Sequence, residues 1–197
     1  GTRGPHSRAG PGTDDQLRSI AWGSGRLVVV GETGTILTST NGAQWTEVPA
    51  SPEWASFDLC GLTYTAGLFV AVADGGLILT SADGWGWQQS RAPVAGERLQ
   101  GIGYGGGLFI ATGRQTRQES SQTIIEAVTL TSPDATTWTR QAVPVAAYLE
   151  SVAYGAGVHV AVGEHGTILT SSNGVDWLLT SPPELSQSPL WELEAVT

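Results

Sequence analysis

The chain contains no lysine and no methionine, and only one cysteine and three histidines in 197 residues. All nine of its cations are arginines, set against 18 aspartates and glutamates, for a net charge of −9. That shortage of positive charge argues against a general nucleic-acid binder, whose affinity rests on neutralising phosphates. It argues equally against a polybasic membrane-surface protein. A lone Cys60 excludes an internal disulfide framework and a cysteine-based zinc site. No apolar run approaches the ~18 residues of a membrane-spanning helix. Charged residues are scarce too, at 14% of the chain, but 40% hydrophobic residues and eight tryptophans suffice for a core, so wholesale disorder is excluded. No stretch sustains a 3.6-residue period, so helices should be few.

Glycine is abundant, 27 residues, and it falls in a repeating frame. One phrase places a Leu, then an apolar residue three positions on, then an aromatic two further. It occurs at Leu17, Ile20 and Trp22, at Leu59, Leu62 and Tyr64, at Leu99, Ile102 and Tyr104, and at Leu149, Val152 and Tyr154. A second phrase runs Ser-x-Asp/Asn-Gly-x-x-Trp. Its copies are Ser39, Asn41, Gly42, Trp45; Ser81, Asp83, Gly84, Trp87; Ser132, Asp134, Trp138, with Ala135 in the glycine place; and Ser171, Asn173, Gly174, Trp177. The closing tryptophans fall 42, 51 and 39 residues apart.

Each repeat divides into four strand-like runs, in the first 17–22, 27–31, 35–38 and 44–48, joined at glycine-bearing turns. Four short antiparallel strands per ~40–50 residues describe a propeller blade. A blade must stack on neighbours, which accounts for apolar residues on both sides of 27–30 and 69–72. A β-sandwich does not demand this recurrence, and a β-solenoid usually has shorter rungs. The expected fold is therefore all-β: a propeller with blades at about 17–50, 58–93, 98–144 and 148–182, after a flexible tail at 1–16. The segment 190–197 repeats the opening of a blade and stops there. With no initiator methionine, this predicts four complete blades and one strand of a fifth, cut from a propeller of six to eight blades. Open blade faces would then favour self-association. The polar run 114–123 replaces a tight turn and is expected to be a loop.

The second phrase resembles the Asp-box of sialidase-type (BNR-repeat) propellers, in which the acid or amide caps the turn between third and fourth strands and the Trp packs into the blade. The usual box has a spacer between Asp and Gly that is absent here. The shortened form, preceded by Gly-Thr-Ile-Leu-Thr-Ser at 34–39 and 166–171, is most similar to photosystem II stability/assembly-factor-like propellers and their bacterial relatives. The resemblance implies a non-enzymatic binding scaffold with a protein or polysaccharide partner, no cofactor, and an extracellular or periplasmic location. It also leaves two other readings open, a fragment of a sialidase-like glycosidase and a photosystem II assembly factor.

A sialidase needs an arginine triad, a Tyr/Glu nucleophile pair and an acid/base Asp. Arg18, Arg98 and Arg114 are the candidates for one inlet face, but Tyr64, Tyr104 and Tyr154 occupy equivalent repeat positions, which argues for packing. No catalytic residue and no metal ligand is assigned. Asn41, Asp83, Asp134 and Asn173 lie in separate blades with local capping duties. His159 takes the apolar place of Leu27, Phe69 and Phe109 and reads as a buried histidine; Cys60 reads as a small buried residue. The best partner-binding candidates lie on the rim of the second-to-third-strand turns: Glu32, Asp74 and Glu164, with Arg114, Arg117 and Glu119 from the insertion. Trp54 and Trp85 have no counterparts in the other repeats and are candidate exposed anchors.

Overall fold

The computed structural model describes residues 15–180. These residues form four separate four-stranded antiparallel sheets, each with its strands in sequence order. The first blade contains β1 (Leu17–Gly23), β2 (Arg26–Gly31), β3 (Ile36–Ser39) and β4 (Thr46–Glu47). The second contains β5 (Leu59–Thr65), β6 (Leu68–Ala73), β7 (Ile78–Ser81) and β8 (Gln88–Arg91). The third contains β9 (Glu97–Gly105), β10 (Leu108–Glu119), β11 (Gln122–Ser132) and β12 (Thr139–Gln141). The fourth contains β13 (Leu149–Gly155), β14 (Val158–Gly163), β15 (Thr167–Ser171) and β16 (Leu178–Leu179). The chain is a β-propeller, and among the described residues its four blades are not closed into a ring.

Local chemistry accounts for the blades. The turn after each first strand has two consecutive left-handed residues: Ser24-Gly25, Ala66-Gly67, Gly106-Gly107 and Ala156-Gly157. Two such residues match the twist of a hairpin. Between them run strands rich in Val, Ile and Leu, which suit a pleated surface buried on both sides. The core lies between blades. Val28, Val30 and Ile36 meet Phe69, Ala71 and Leu79; Val70, Val72 and Ile78 meet Phe109, Ala111 and Leu130; Ile110 and Ala127 meet Leu149, Ala161 and Leu169. No described helix is long and apolar enough to cross a membrane.

Three expectations need correction. Residues 114–123 are not a loop: β10 and β11 continue as a paired ladder out to Glu119 opposite Gln122, and Ser120 takes the left-handed turn. Polar residues alternating along two facing runs support a hairpin as readily as a loop. Trp54 is not an exposed anchor, being only 6% exposed. The segment between the first two blades folds back through Trp54 N–H and Ala55 N–H to Ser51 O, and it packs the indole beside Val30, Ile36 and Val48. The end of the expected tail is tied to the first blade, since the Thr35 hydroxyl donates to Asp15 Oδ2 at 2.7 Å and Glu32 N–H to Gln16 O at 3.0 Å. The rest of the tail, and the fifth-blade strand expected at 190–197, lie outside the described residues.

Candidate functional site

Each blade has a bulge near the start of its first strand, always at the same repeat position. Pairing steps from Leu17 opposite Gly31 to Ser19 opposite Val30, passing over Arg18. Cys60, Gln100 and Glu150 are passed over in the same way. A bulge breaks the in–out alternation of a strand and re-aims one side chain. Arg18, Cys60, Gln100 and Glu150 therefore gather at one rim. They join the residues two positions before each of them (Gln16, Asp58, Arg98, Tyr148) and those that follow the partners of the opening leucines on the second strands (Glu32, Asp74, Arg114, Glu164). Strand direction puts the Ser-x-Asp/Asn turns, and with them Trp85, at the other end of each blade.

In the sector between the first two blades the arginine is paired with carboxylates. Arg18 Nη2 lies 2.9 Å from Glu32 Oε1 and 3.1 Å from Asp58 Oδ2. Asp58 N–H donates to Asp74 Oδ1 at 2.8 Å. Burial raises the Asp74 pKa, and the charge of Asp58 adds to this against the opposing Asp58 N–H, Arg98 and Arg18. Burial also pushes the Cys60 thiol up, with Arg98 opposing, so Cys60 stays a protonated, weak nucleophile. Its Sγ contacts Asp58 O at 3.4 Å.

The sector between the third and fourth blades is different. Arg98 and Arg114 are direct cross-strand partners on β9 and β10. Arg98 Nε donates to Gln100 Oε1 at 3.2 Å, and the Arg114 guanidinium sits 3.7 Å above the ring centroid of Tyr148. Arg98, Gln100, Gly113, Arg114, Tyr148, Leu149 and Glu150 line a shallow cleft. Among the described residues neither arginine has a carboxylate at ion-pair distance, whereas Arg18 has two. On the projecting hairpin Arg117 pairs with Glu119 at 3.0 Å and with Glu126 at 2.9 Å, all three side chains substantially exposed. Glu164 N–H donates to Tyr148 O at 3.0 Å.

The four Ser-x-Asp/Asn turns have one construction. The side-chain oxygen of Asn41 accepts the N–H groups of Ala43 and Gln44, each at 2.9 Å; Asp83 accepts Trp85 and Gly86; Asp134 accepts Thr136 and Thr137; Asn173 accepts Val175 and Asp176. The serine hydroxyl accepts the next turn N–H in the three copies that carry glycine, as from Gly84 to Ser81 at 2.8 Å. Position 84 has φ +72°, and a methyl there would come within 2.6 Å of Val28 Cγ2. Ala135, at φ +57°, accepts the same backbone without glycine's freedom. Trp45 and Trp177 donate their indole N–H to the carbonyls of Gly42 and Gly174. Among the described residues no group of three or more His, Cys, Asp or Glu is placed to hold a metal ion.

His159 is buried against Tyr154, ring centroids 4.6 Å apart, where Tyr64 meets Phe69 and Tyr104 meets Phe109. Sequence reading missed two features. Tyr148 stands outside the repeating aromatic positions 64, 104 and 154, and its place just before the blade's opening Leu149 is the available signal. A buried ion pair between Arg91 Nη1 and Glu97 Oε1, 2.7 Å, bridges β8 to the start of β9, and no repeat position announces it.

No protein-family profile and no curated protein matches the sequence. Solved structures do. The chain superposes on a streptogramin B lyase with TM-score 0.64 at 12% identity, covering 86% of this chain and 56% of that one. It superposes on YCF48 bound to D1 peptide with TM-score 0.56 at 18% identity, covering 86% and 54%. The WD40 domain of Neurospora crassa Pan2 gives TM-score 0.56 at 14% identity, covering 85% and 54%. All three are β-propellers, and the chain spans about half the length of each.

Proposed function

We propose that the chain is a non-enzymatic propeller scaffold that holds an acidic segment of a protein partner in the rim cleft between its third and fourth blades. The observation that carries this is the Arg98–Arg114 pair. Like charges directly opposite on neighbouring strands destabilise a sheet, and a local rule is broken most often where function asks for it. Two guanidiniums with no described carboxylate at ion-pair distance, in a chain of net charge −9, form a positive spot beside Glu150 suited to bidentate carboxylate recognition. Tyr148 supplies an apolar wall beside it. The second-to-third-strand rim thus remains the recognition surface, centred on Arg114 rather than on Glu32, Asp74, Arg117 or Glu119, whose polar groups already have partners.

The non-enzymatic reading is supported by the engagement of the inlet arginines. Arg18 is held by Glu32 and Asp58, and Arg114 lies on Tyr148, so the three do not converge as a sialidase triad must. We read the four capped turns as Asp-boxes with a structural duty. YCF48 was solved bound to a D1 peptide; it offers a fold-level analogy for a peptide-binding propeller.

The test is fluorescence anisotropy with a labelled polyglutamate peptide at low salt. Removing one arginine–carboxylate hydrogen bond should weaken binding about tenfold, from ~1.5 kcal/mol per charged hydrogen bond. Arg98→Ala and Arg114→Ala should each weaken binding to this extent, and Arg117→Ala should not. Equal binding by the double variant Arg98→Ala/Arg114→Ala sinks the site. Hydrolysis of a sialoside by the pure protein sinks the non-enzymatic reading. A D1 peptide in the same assay separates a photosystem partner from acidic segments at large.

A further inference from the structure

The hairpin that the third blade extends at this rim has two unlike faces. Gly113 and Gly163 pair with the opening leucines of their blades, Leu99 and Leu149. β14 ends at that level, and the fourth blade turns there through Glu164–Gly166. β10 runs on past it from Arg114 to Glu119, paired residue for residue with β11. That ladder has no bulge, so the side-chain alternation of the blade core carries through to the tip. Ile110 and Ala127 pack with residues of the fourth blade, whereas Phe109, Ala111 and Val128 pack with the second. Arg114, Thr116, Gln118, Thr123 and Ile125 therefore share the face toward the fourth blade. Arg117, Glu119, Ile124 and Glu126 share the opposite face.

This alternation sorts the charges. The charged residues between Gln115 and Glu126 are Arg117, Glu119 and Glu126, and all of them lie on the face turned from the fourth blade. There they satisfy one another: Arg117 pairs with both carboxylates, and Arg140 comes within 3.6 Å of Glu126. The face toward the fourth blade is uncharged beyond Arg114. It rises from the cleft of Arg98, Arg114 and Tyr148 as Thr116 opposite Ile125, then Gln118 opposite Thr123. Gln118 Nε2 donates to Thr123 Oγ1 at 2.8 Å, which closes that polar pair on itself. The foot of the hairpin is fixed too. Thr116 N–H donates to Gly96 O at 2.8 Å, and Thr116 O leaves no room for a methyl on Gly96.

We infer that this uncharged face is the second half of the recognition site and selects the residues beside the acid in the partner segment. The inference rests on the acidic-segment reading of the cleft and gives that reading its specificity. A carboxylate seated on Arg98 and Arg114 brings its neighbours in an extended segment against Thr116 and Ile125, the next residues up the same face. Ile125 is partly exposed and offers apolar contact but no counter-charge. A charged side chain set against it would give up water without return, whereas an aliphatic one would bury area. The segment that fits is an acid flanked on one side by uncharged, apolar residues, rather than a run of acids. Only the third blade carries such an arm; the first and fourth have short turns at Glu32–Gly34 and Glu164–Gly166. An insertion on a rigid repeat scaffold is where recognition particular to one chain is built.

The experiment is fluorescence anisotropy on the full chain at low salt with two labelled peptides of equal charge. One is Glu-Glu-Val-Thr-Val-Thr and the other Glu-Glu-Gly-Ser-Gly-Ser, each capped at both ends and each also made in reverse order. In the better order the Val-Thr peptide should bind about tenfold tighter, as expected for roughly two buried methylene-sized groups. Ile125→Ser should remove that preference and leave the Gly-Ser peptide unchanged. Ile124→Ser, one residue away on the opposite face, should keep it, and so should the conservative Ile125→Val. Circular dichroism checks that each variant keeps the wild-type fold. Equal binding of the two peptides, with both lost in Arg98→Ala/Arg114→Ala, overturns the role of the hairpin and leaves the cleft standing. So does a preference lost equally in Ile124→Ser and Ile125→Ser. Binding of neither peptide, or binding that survives Arg98→Ala/Arg114→Ala, overturns the cleft and this inference with it.

Discussion

Trp138 of the third blade donates its indole N–H to the hydroxyl of Ser90 in the second, at 2.9 Å, and Ser90 in turn donates to the carbonyl of Ala135. A two-step polar relay thus ties the turn of one blade to the last strand of its neighbour. Ser90→Ala leaves the indole N–H and the Ala135 carbonyl without this partner at a half-buried seam, and should cost about 1–2 kcal/mol. Urea denaturation followed by tryptophan fluorescence measures it. An unchanged midpoint would show that water replaces the hydroxyl at no cost.

Trp54 and Trp85, both outside the repeat plan, should behave oppositely. Trp54 is buried in the first interblade core, so Trp54→Ala should lose about 3–5 kcal/mol. Trp85 is 44% exposed at the far end of its blade, so Trp85→Ala should change stability by no more than about 0.5 kcal/mol. Thermal melts of the two variants side by side give the answer, and similar losses in both would contradict the burial described.

His159 makes stability fall with acid. Burial lowers its pKa in the folded chain, so folding favours the neutral ring. That contribution is complete above the unfolded value of about 6.5 and is lost as pH falls from there toward the folded value. His159→Phe, which copies Phe69 and Phe109 at the same repeat position, should flatten the melting temperature between pH 7 and pH 5. The same decline in wild type and variant would place the effect elsewhere.

The capped turns add a second, lower acid step. The N–H groups of Trp85 and Gly86 lower the Asp83 pKa, while the Thr136 hydroxyl, the Thr136 and Thr137 N–H groups and Ser132 hold Asp134 well below the usual range. Depressed carboxylates contribute stability that is present above about pH 4, the unfolded value, and lost as pH falls through the folded values. Asp83→Asn/Asp134→Asn keeps the acceptor oxygens, as Asn41 and Asn173 do, and removes the charge. The double variant should therefore lose less stability than wild type below pH 4, read as melting temperature against pH. Identical acid curves would refute the assignment.

Much of this was legible because repeats state their own structure. The spacing of Trp45, Trp87, Trp138 and Trp177 marks the turns, and the step from Leu59 to Tyr64 or from Leu149 to Tyr154 marks the first strands. Both patterns come from contacts within one blade, where partners are close in sequence. Trp54 misled because uniqueness in sequence says nothing about burial. The insertion at 114–123 misled because polar residues alternating on a hairpin look like polar residues in a loop.

By itself, then, the sequence determined the blade: its strand order, its Gly-bearing turns and its capped Asp or Asn, each set by short-range geometry. Only the tertiary structure decided the rim. The bulges at Arg18, Cys60, Gln100 and Glu150 turn those residues out of the alternation that sequence reading assumes. The pairing of β9 with β10 then sets Arg98 beside Arg114, and the fourth blade brings Tyr148 under the guanidinium. Those contacts join residues far apart along the chain, and no periodicity encodes which of four near-identical blades will carry the unbalanced charge.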